Sequence, residues 1–342
     1  MRALASPASL KGVLSPLEAA GALAAGLGRV AGVEVDLAPV ADGGEGTADV
    51  LHQAAGGSWH TATVAGPLGR AVQARWLLLD DGTAVVEAAQ ALGLPLLADD
   101  ELDPLLASSR GLGELLLEVL SAGPASLLVC LGGVATVDGG SGLRAVVGNQ
   151  LTSVPIRVAC DVRNPLLGPR GAARAFGPQK GADAATVEQL EARLAALHEL
   201  APFRDLPGAG AAGGLGAMLA ALGGELVEGA ELVLDAIRFD ERAAAAELVV
   251  TGEGTVDATT LEGKAPGAVA RRCARLGVRC ELFGGIVRDG LAAHALSGDP
   301  ARASEDLTRL GERLCALALR KRLSIVVQDP KPGSAARKPG SS

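Results

Sequence analysis

One unit recurs along this chain of 342 residues: a short apolar run, a glycine-rich loop that carries an acidic residue, and a helical pattern. Apolar runs of this length are typical of buried strands, and their alternation with helical patterns is typical of a parallel sheet. In open α/β sheets, ligands bind outside the carboxyl ends of the strands, where these loops lie. The sequence therefore predicts an α/β fold whose acidic loops converge on a cleft between domains. The loops carry Asp42, Asp138, Asp161, Glu253 and Asp257.

The last of these loops holds the richest set of chemical groups. It contains Gly252, Glu253, Gly254 and Asp257, and it ends in a Gly-Lys pair at Lys264. Small glycines let backbone N–H groups approach an anion, and the N-terminus of the following helix adds a favourable dipole. Carboxylates suit a hard cation such as Mg2+ and a lysine suits a phosphate, so this combination is typical of phosphoryl transfer.

This loop does not have the spacing of a Walker A phosphate loop. That motif requires a glycine five residues before the Gly-Lys pair and a Ser or Thr after it, but these positions hold Ala258 and Ala265. The alternative at this point is an ordinary strand-to-helix turn with solvated charges.

A GxGxxG pattern at residues 208–213 is the other glycine-rich motif. It lacks the preceding strand that a dinucleotide site needs, because Pro202 and Pro207 bracket a polar segment there. Close backbone packing or the approach of a substrate is therefore the favoured interpretation, and a dehydrogenase is the weakest functional alternative.

Composition excludes several classes of function. Aromatic residues make up 2% of the chain and the net charge is −8, which argues against binding to nucleic acid or to an anionic membrane surface. No run of about 18 apolar residues predicts a transmembrane helix. The five cysteines are odd in number and form no CxxC pair, so we expect reduced thiols and a cytoplasmic location. The four histidines lie outside the glycine-rich motifs, which gives little support to a histidine triad or a zinc site.

Local patterns predict the order of the elements. Ser15, Pro16 and Glu18 form a helix start with a capping box, and this helix is expected to reach about Gly28. Residues 60–87 predict a β-meander. Residues 329–342 are rich in Pro, Gly, Ser and Lys and predict a disordered tail. Further strands are expected at 2–6, 33–37, 126–131, 156–159 and 278–283, and further helices from about 113, at 185–200 and at 303–319.

Seven motifs follow one another along the chain, at residues 41–47, 66–70, 159–162, 164–169, 176–181, 206–216 and 251–254. In this order they resemble the type 1 glycerate kinases, over roughly residues 10–285. The resemblance implies ATP-dependent phosphorylation of D-glycerate. It also implies a flavodoxin-like, Rossmann-like α/β domain with a second α/β domain inserted into it. The change in strand pattern places the first domain at 1–61 and 244–328 and the inserted domain at 62–243.

The resemblance and the loop chemistry together suggest direct, in-line transfer of the γ-phosphoryl group of ATP, with Mg2+. The catalytic candidates are Lys11, Asp161 and Asp257, and the two aspartates are alternative acceptors of the hydroxyl proton. Mg2+ is expected at Asp42, Glu45 and Glu253. The nucleotide phosphates are expected at Gly43, Gly44, Gly252, Gly254 and Lys264. The substrate-binding candidates are Arg70, Thr136, Asp138, Arg163 and Lys180, with an arginine clamping the carboxylate.

The chain departs from the family's motifs at four positions. Ala8, Val134 and Val137 stand where Asp, Ser and Asn are usual, and Thr255 replaces a residue that is usually basic. A segment of a few tens of residues is also absent near 148–153. Two alternatives therefore stay open: a pseudoenzyme that binds nucleotide or a small hydroxy acid, and a kinase of another small hydroxy acid. The family favours 2-phosphoglycerate over 3-phosphoglycerate as the product. D-glycerate is the expected small-molecule partner, and a homodimer is the candidate assembly.

Overall fold

Two β-sheets organise the computed structural model, which describes residues 1–262, 264–288 and 290–328. The strands are β1 (Arg2–Ala5), β2 (Glu34–Leu37), β3 (Ser58–Ala65), β4 (Ala71–Leu78), β5 (Thr83–Glu87), β6 (Ser126–Cys130), β7 (Ile156–Cys160), β8 (Glu225–Glu228), β9 (Leu248–Val256), β10 (Cys280–Val287) and β11 (His294–Ala295). The α-helices are α1 (Pro16–Leu27), α2 (Thr47–Ala55), α3 (Ala89–Leu92), α4 (Arg110–Ser121), α5 (Ser141–Val147), α6 (Ala172–Phe176), α7 (Ala184–Ala195), α8 (Ala211–Ala221), α9 (Gly229–Ala236), α10 (Phe239–Ala244), α11 (Ala265–Leu276) and α12 (Ala303–Gln328). The predicted tail at 329–342 lies outside the described residues, as does Gly263 of the Gly-Lys pair.

The first sheet is entirely parallel, with strand order β2-β1-β9-β10-β11. Numbered within this sheet, the order is 2-1-3-4-5, which is that of flavodoxin-like folds. Leu23 of α1 and Leu307 of α12 pack on one face, and Val233 of α9 and Phe239 of α10 pack on the other. The prediction of a flavodoxin-like α/β domain is therefore confirmed. Because the strand order reverses between β1 and β9, a ligand is expected at the carboxyl ends of these two strands.

The second sheet has the order β3-β4-β5-β6-β7-β8. Strands β3, β4 and β5 pair antiparallel, as the predicted meander requires, whereas β5 to β8 are parallel. The chain passes from the first sheet to the second between Leu37 and Ser58, and returns between Glu228 and Leu248. All of the second sheet thus lies within an insertion into the first; the domain limits at 61/62 and 243/244 stay predictions.

Helix α2 precedes the second sheet in the chain and packs against it. Its Ala48 and Leu51 lie in one buried cluster with Leu128 of β6. The buried carboxylate of Glu87, at the end of β5, accepts the N–H of Ala48 at 2.8 Å. The loop before α2, which carries Asp42, is therefore held between the two sheets.

The position of Glu87 gives a testable pH dependence of stability. Burial, with the charge of Asp49, raises the pKa of Glu87 above its ordinary value of 4.5, against the lowering effect of the Ala48 N–H. The folded protein therefore holds this proton more tightly than the unfolded chain, and the stability it contributes is lost as pH rises above 4.5. Glu87→Gln keeps an acceptor for Ala48 but cannot ionise. We expect wild type to lose more unfolding free energy than Glu87→Gln between pH 5 and pH 8, measured by urea unfolding. Equal losses would contradict this account.

Several local predictions are confirmed, whereas helix α7 ends at Ala195 rather than at 200 and three further elements differ. The Glu18 carboxylate accepts the Ser15 N–H at 2.8 Å and completes the predicted capping box at α1. Strand β8 was missed because its two apolar residues are flanked by exposed Glu225 and Glu228, so no apolar run marks it. Strand β11 follows β10, which was predicted to be the last strand, and α12 runs to Gln328 rather than to 319.

The GxGxxG segment is a site of close packing. A Cβ atom added to Gly213 would lie 2.0 Å from the carbonyl oxygen of Thr136, and Gly213 has a φ of +69°, which favours glycine. Ala212 beside it has a φ of +52°. Turns rather than a strand precede this segment, so the favoured interpretation from the sequence is confirmed.

Candidate active site

Loops from the two sheets meet where the parallel strands end. A Cβ atom added to Gly132, just after β6, would lie 2.5 Å from the Cα of Gly44. One added to Gly43 would lie 2.9 Å from the Cβ of Ala159 in β7. Asp42 begins the same loop, and its carboxylate accepts the Gly44 N–H at 3.2 Å. The carboxyl ends of both sheets therefore border one cleft.

The cleft contains two adjoining cavities of about 510 and 460 Å³, here called the first and the second cavity. The first reaches the N-termini of α1 and α2 and strand β4, and the second follows β9 and β10 to the start of α12. Residues shared by both cavities form the junction between them. These residues are Ser9, Lys11, Val13, Asp42 and Asp161.

An acid pair, Asp42 and Asp161, lies at this junction. Burial, together with the charge and hydrogen bonding of the neighbouring Asp42 carboxyl, raises the pKa of Asp161 to about 7. The ammonium group of Lys264 opposes this rise. A carboxylate with such a pKa is about half ionised at neutral pH and is well matched to general-base chemistry.

Glu253 and Lys264 form the wall of the second cavity next to the acid pair. The Lys264 Nζ lies 3.6 Å from the Glu253 Oε1, and the Thr260 hydroxyl donates to the same oxygen at 2.6 Å. Burial raises the pKa of Glu253, and the charge of Asp42 adds to the rise, whereas Thr260 and Lys264 oppose it. The loop residues predicted at 253 and 264 are therefore brought together with those at 42 and 161.

Asp257, the other candidate base, has a different environment. The backbone N–H and the hydroxyl of Thr259 both donate to its carboxylate, and the Thr259 hydroxyl in particular lowers its pKa. Asp257 does not line either cavity among the described residues. These contacts are those of a turn-forming aspartate.

The predicted phosphate-binding glycines divide into two kinds. Gly44 lines the first cavity and Gly254 the second, so their backbone groups are accessible to a ligand. Gly43 packs on Ala159, and a Cβ atom added to Gly252 would lie 2.2 Å from the carbonyl oxygen of Phe283. Gly43 and Gly252 thus allow backbones to pack closely. Glu45, one of the predicted metal ligands, is exposed and lines the first cavity beside Gly44.

Three of the predicted substrate ligands lie behind the cleft, within the inserted domain. The buried Lys180 donates from Nζ to the carbonyl oxygen of Thr136 at 2.8 Å, and burial lowers its pKa to about 7. Asp138 accepts the N–H and the hydroxyl of Ser109 at 2.8 and 2.7 Å, and also the N–H of Gly140 at 3.0 Å. These contacts hold the loop between β6 and α5, whose residue Gly132 lines the first cavity.

The two predicted arginine clamps lie on the surface in ion pairs. Arg70 forms a two-pronged pair with Glu101, at 2.6 and 2.9 Å, and lines neither cavity. Arg163 pairs with Glu228 at 3.0 Å beside a separate cavity of about 180 Å³, which Asp161 also lines. Sequence reasoning missed Ser9 and Arg75, both of which line the first cavity. Ser9 follows the first strand at its carboxyl end, which was an available signal, whereas Arg75 lies inside a strand and has no motif around it.

The donor set fits Mg2+ held jointly by protein and phosphate. Within the described ranges, no three His, Cys, Asp or Glu side chains form a ready-made metal cluster. Mg2+ is usually bound through one or two carboxylates plus substrate phosphates and water, rather than by an all-protein cage. Asp42 at the junction, with Glu253 beside it in the second cavity and Glu45 in the first, supplies oxygen donors of that kind.

Three of the four positions that depart from the family's motifs are buried. Ala8 is 8% exposed in the core of the first domain, and Val134 and Val137 are 3% and 1% exposed in the core of the inserted domain. The two valine side chains pack in that core and do not line either cavity among the described residues. Thr255, which stands where a basic residue is usual, does line the second cavity, so this departure changes the polar lining of the cleft.

Comparisons with known proteins agree with this geometry. A model of the glycerate kinase family matches residues 3–153 and 147–304. The chain belongs to the glycerate kinase family. It is 39% identical to glycerate kinase of Bacillus subtilis (strain 168), over 86% of this chain and 87% of that one. It is 40% identical to glycerate 2-kinase of Escherichia coli (strain K12), over 79% and 81% of the two chains.

A solved structure extends the comparison to the whole fold of this glycerate kinase family member. The crystal structure of a candidate glycerate kinase 2 from Salmonella typhimurium LT2 superposes with a TM-score of 0.79. The two chains are 33% identical, and the match covers 94% of this chain and 99% of the other. The two matched segments of the family model overlap at residues 147–153, which is where the sequence predicts that a segment of the family is missing. Among the helices of the described residues, none is long and apolar enough to cross a bilayer.

Proposed function

We propose that this protein transfers the γ-phosphoryl group of ATP to a hydroxyl of D-glycerate, with Mg2+, and that 2-phosphoglycerate is the favoured product. The observation that carries the proposal is the acid pair of Asp42 and Asp161 beside Lys11, at the junction of two cavities. A transfer between two bound substrates requires a shared point of this kind, with a base and a cation at it. The names of the B. subtilis and E. coli relatives support glycerate as the acceptor.

Asp161 is the base that we favour over Asp257. Its ionised form would accept the proton of the attacking hydroxyl, and its pKa of about 7 makes both the ionised form and proton acceptance available at neutral pH. The pKa of Asp257 is lowered by Thr259, so that carboxylate is the weaker base. Lys11 and Lys264 would bind phosphate oxygens, and the backbones of Gly44 and Gly254 would pack against them.

Asp42 and Glu253, with Glu45 at the rim, are the residues that would hold Mg2+. When bound, Mg2+ would neutralise charge on the phosphate oxygens. We assign Asp138, Thr136 and Lys180 to holding the glycine loop, rather than to direct contact with substrate. We also propose a cytoplasmic location, which the five free thiols favour, and assembly of the protein as a homodimer.

The test is release of ADP by the purified protein with Mg-ATP, in the presence and in the absence of D-glycerate. We expect release that depends on both D-glycerate and Mg2+. Phosphorus NMR of the product would then distinguish 2-phosphoglycerate from 3-phosphoglycerate. Glycerate-independent release, or none from a folded protein, would contradict the proposal. A panel of other small hydroxy acids would identify a kinase with a different acceptor.

A further inference from the structure

The first cavity contains a cation that the proposed mechanism does not use. Arg75 lies in β4 of the inserted domain and lines the cavity that Asp42 and Asp161 also line. Its side chain is 43% exposed. Lys11 is the other cation among the described lining residues of this cavity.

The guanidinium of Arg75 is held in place by two contacts. Its Nη2 donates to the Asp49 carboxylate at 2.6 Å, and its central carbon lies 4.3 Å from the centroid of the Trp59 ring. A cation over a tryptophan face is electrostatically favourable, and the contact also restricts the side chain. Asp49 belongs to α2 and Trp59 to β3, so two different elements fix the guanidinium of Arg75.

The fixed guanidinium keeps donors for a ligand. Asp49 is its hydrogen-bond acceptor among the described residues, and most of the five N–H donors of an arginine stay available. Planar, rigidly held guanidinium groups suit two-pronged binding of a carboxylate. The same cavity is lined by several acids, so an anionic substrate there needs a cation to offset their repulsion. These acids are Asp42, Glu45, Asp49 and Asp161.

The lining of the second cavity points to the nucleotide instead. Ile286 is 48% exposed there, and Leu296 and Pro300 add apolar surface, as a purine base requires. Lys264 in the same cavity is a phosphate-binding candidate. With the base in the second cavity and transfer at the junction, the acceptor would occupy the first.

We propose that Arg75 binds the carboxylate of the hydroxy-acid acceptor and so selects an acid over a neutral polyol. This inference rests on the proposed function, because it concerns the acceptor of that reaction. Arg75 is thereby a specificity-determining residue that sequence motifs do not reveal.

The kinetic test compares Arg75→Met and Arg75→Lys with wild type. We expect Arg75→Met to raise the KM for D-glycerate by about tenfold to hundredfold, which is typical of losing hydrogen bonds to a charged group. The KM for ATP should change by less than about twofold, and Arg75→Lys should recover part of the loss. Arg174→Met is the matched control, because Arg174 is 37% exposed, is paired with Glu188 at 2.7 Å and lies away from both cavities.

A binding test that needs no turnover uses Trp59 as the reporter. The chain has two tryptophans, so Trp76→Phe leaves Trp59 as the sole emitter beside Arg75. D-glycerate should change its fluorescence, glyceramide, which lacks the charge, should do so far less, and Arg75→Met in this background should abolish the difference. Active wild type with an unchanged KM in Arg75→Met would overturn this inference and leave the kinase standing. Inactive wild type with an Arg75-dependent fluorescence response would overturn the kinase and support the inference. If wild type is inactive and D-glycerate does not change the Trp59 fluorescence, both the kinase proposal and this inference are overturned.

Discussion

Asp161→Asn is expected to lower kcat for glycerate-dependent ADP release by about 10²–10⁴-fold, the usual contribution of a general base. Asparagine keeps the size of the side chain but cannot accept the hydroxyl proton. It also removes a carboxyl whose pKa is raised by burial and, to a lesser extent, by repulsion from Asp42, so the variant should unfold in urea no more easily than wild type. A large loss of activity without a loss of stability would separate a chemical role from a structural one.

Asp257→Asn is the variant that distinguishes the two candidate bases. We expect it to have the smaller effect, since the Asp257 carboxylate is already held by Thr259. Asp205→Asn serves as the surface control, because Asp205 is 86% exposed and is paired with its neighbour Arg204. A larger loss in Asp257→Asn than in Asp161→Asn would reverse the assignment.

The pH profile of the wild type provides a second measurement of the same base. Because Asp161 must be ionised to accept a proton, kcat/KM for D-glycerate should rise with pH. Mg2+ held by Asp42 would offset part of the repulsion that raises the pKa of Asp161 to about 7, so the midpoint should lie at or below this value. The rise should be absent from the residual activity of Asp161→Asn. A wild-type profile that is flat between pH 5 and pH 8 would contradict the assignment.

Gly132→Val is expected to cost about 100-fold in kcat, because a displacement of about 1 Å in a reacting group has an effect of this size. A Cβ atom at this position would lie 2.5 Å from the Cα of Gly44, so the two loops must separate. The Gly44 loop carries Asp42, which would move away from Asp161. Overpacking of this kind also lowers stability, typically by about 1–3 kcal/mol.

Gly21→Ala is the control for this glycine substitution. Gly21 lies in the interior of α1 with nothing within 4 Å of an added Cβ atom, so alanine should raise the unfolding free energy by up to about 1 kcal/mol. Activity assays and urea unfolding of both variants would separate the two effects. Wild-type kcat in Gly132→Val would show that contact between these loops is not required for catalysis.

Sequence patterns were informative about the fold because most elements carry a local signal. The buried strand β6 and the capped helix α1 each follow from their own residues. Strand β8 carries no such signal, since it has two apolar residues between exposed glutamates and its pairing with β7 is a long-range interaction. Sheet order also depends on such pairings; the flavodoxin-like order was available only through the family resemblance.

The site was predictable where function depends on loops at strand ends, and less so elsewhere. Asp42, Asp161 and Glu253 follow glycine-loop patterns, and the structure brings them together. Charge alone did not distinguish Arg70, which pairs with Glu101, from Arg75, which lines the first cavity. Lys180 has a motif around it but is buried against Thr136, because a motif identifies a position without showing which way its side chain points.

The inserted sheet receives the chain at one edge and returns it at the other. Strand β3 forms the first edge and β8 the last, and both run in the same direction, so entry and exit lie at diagonally opposite corners. At about 4.8 Å between neighbouring strands, the corners are separated by at least about 24 Å across the sheet. A short peptide could therefore not rejoin the ends of the insertion into a ring, and circular permutants that keep the inserted domain intact would need a bridge of eight or more extended residues, about 3.3 Å each.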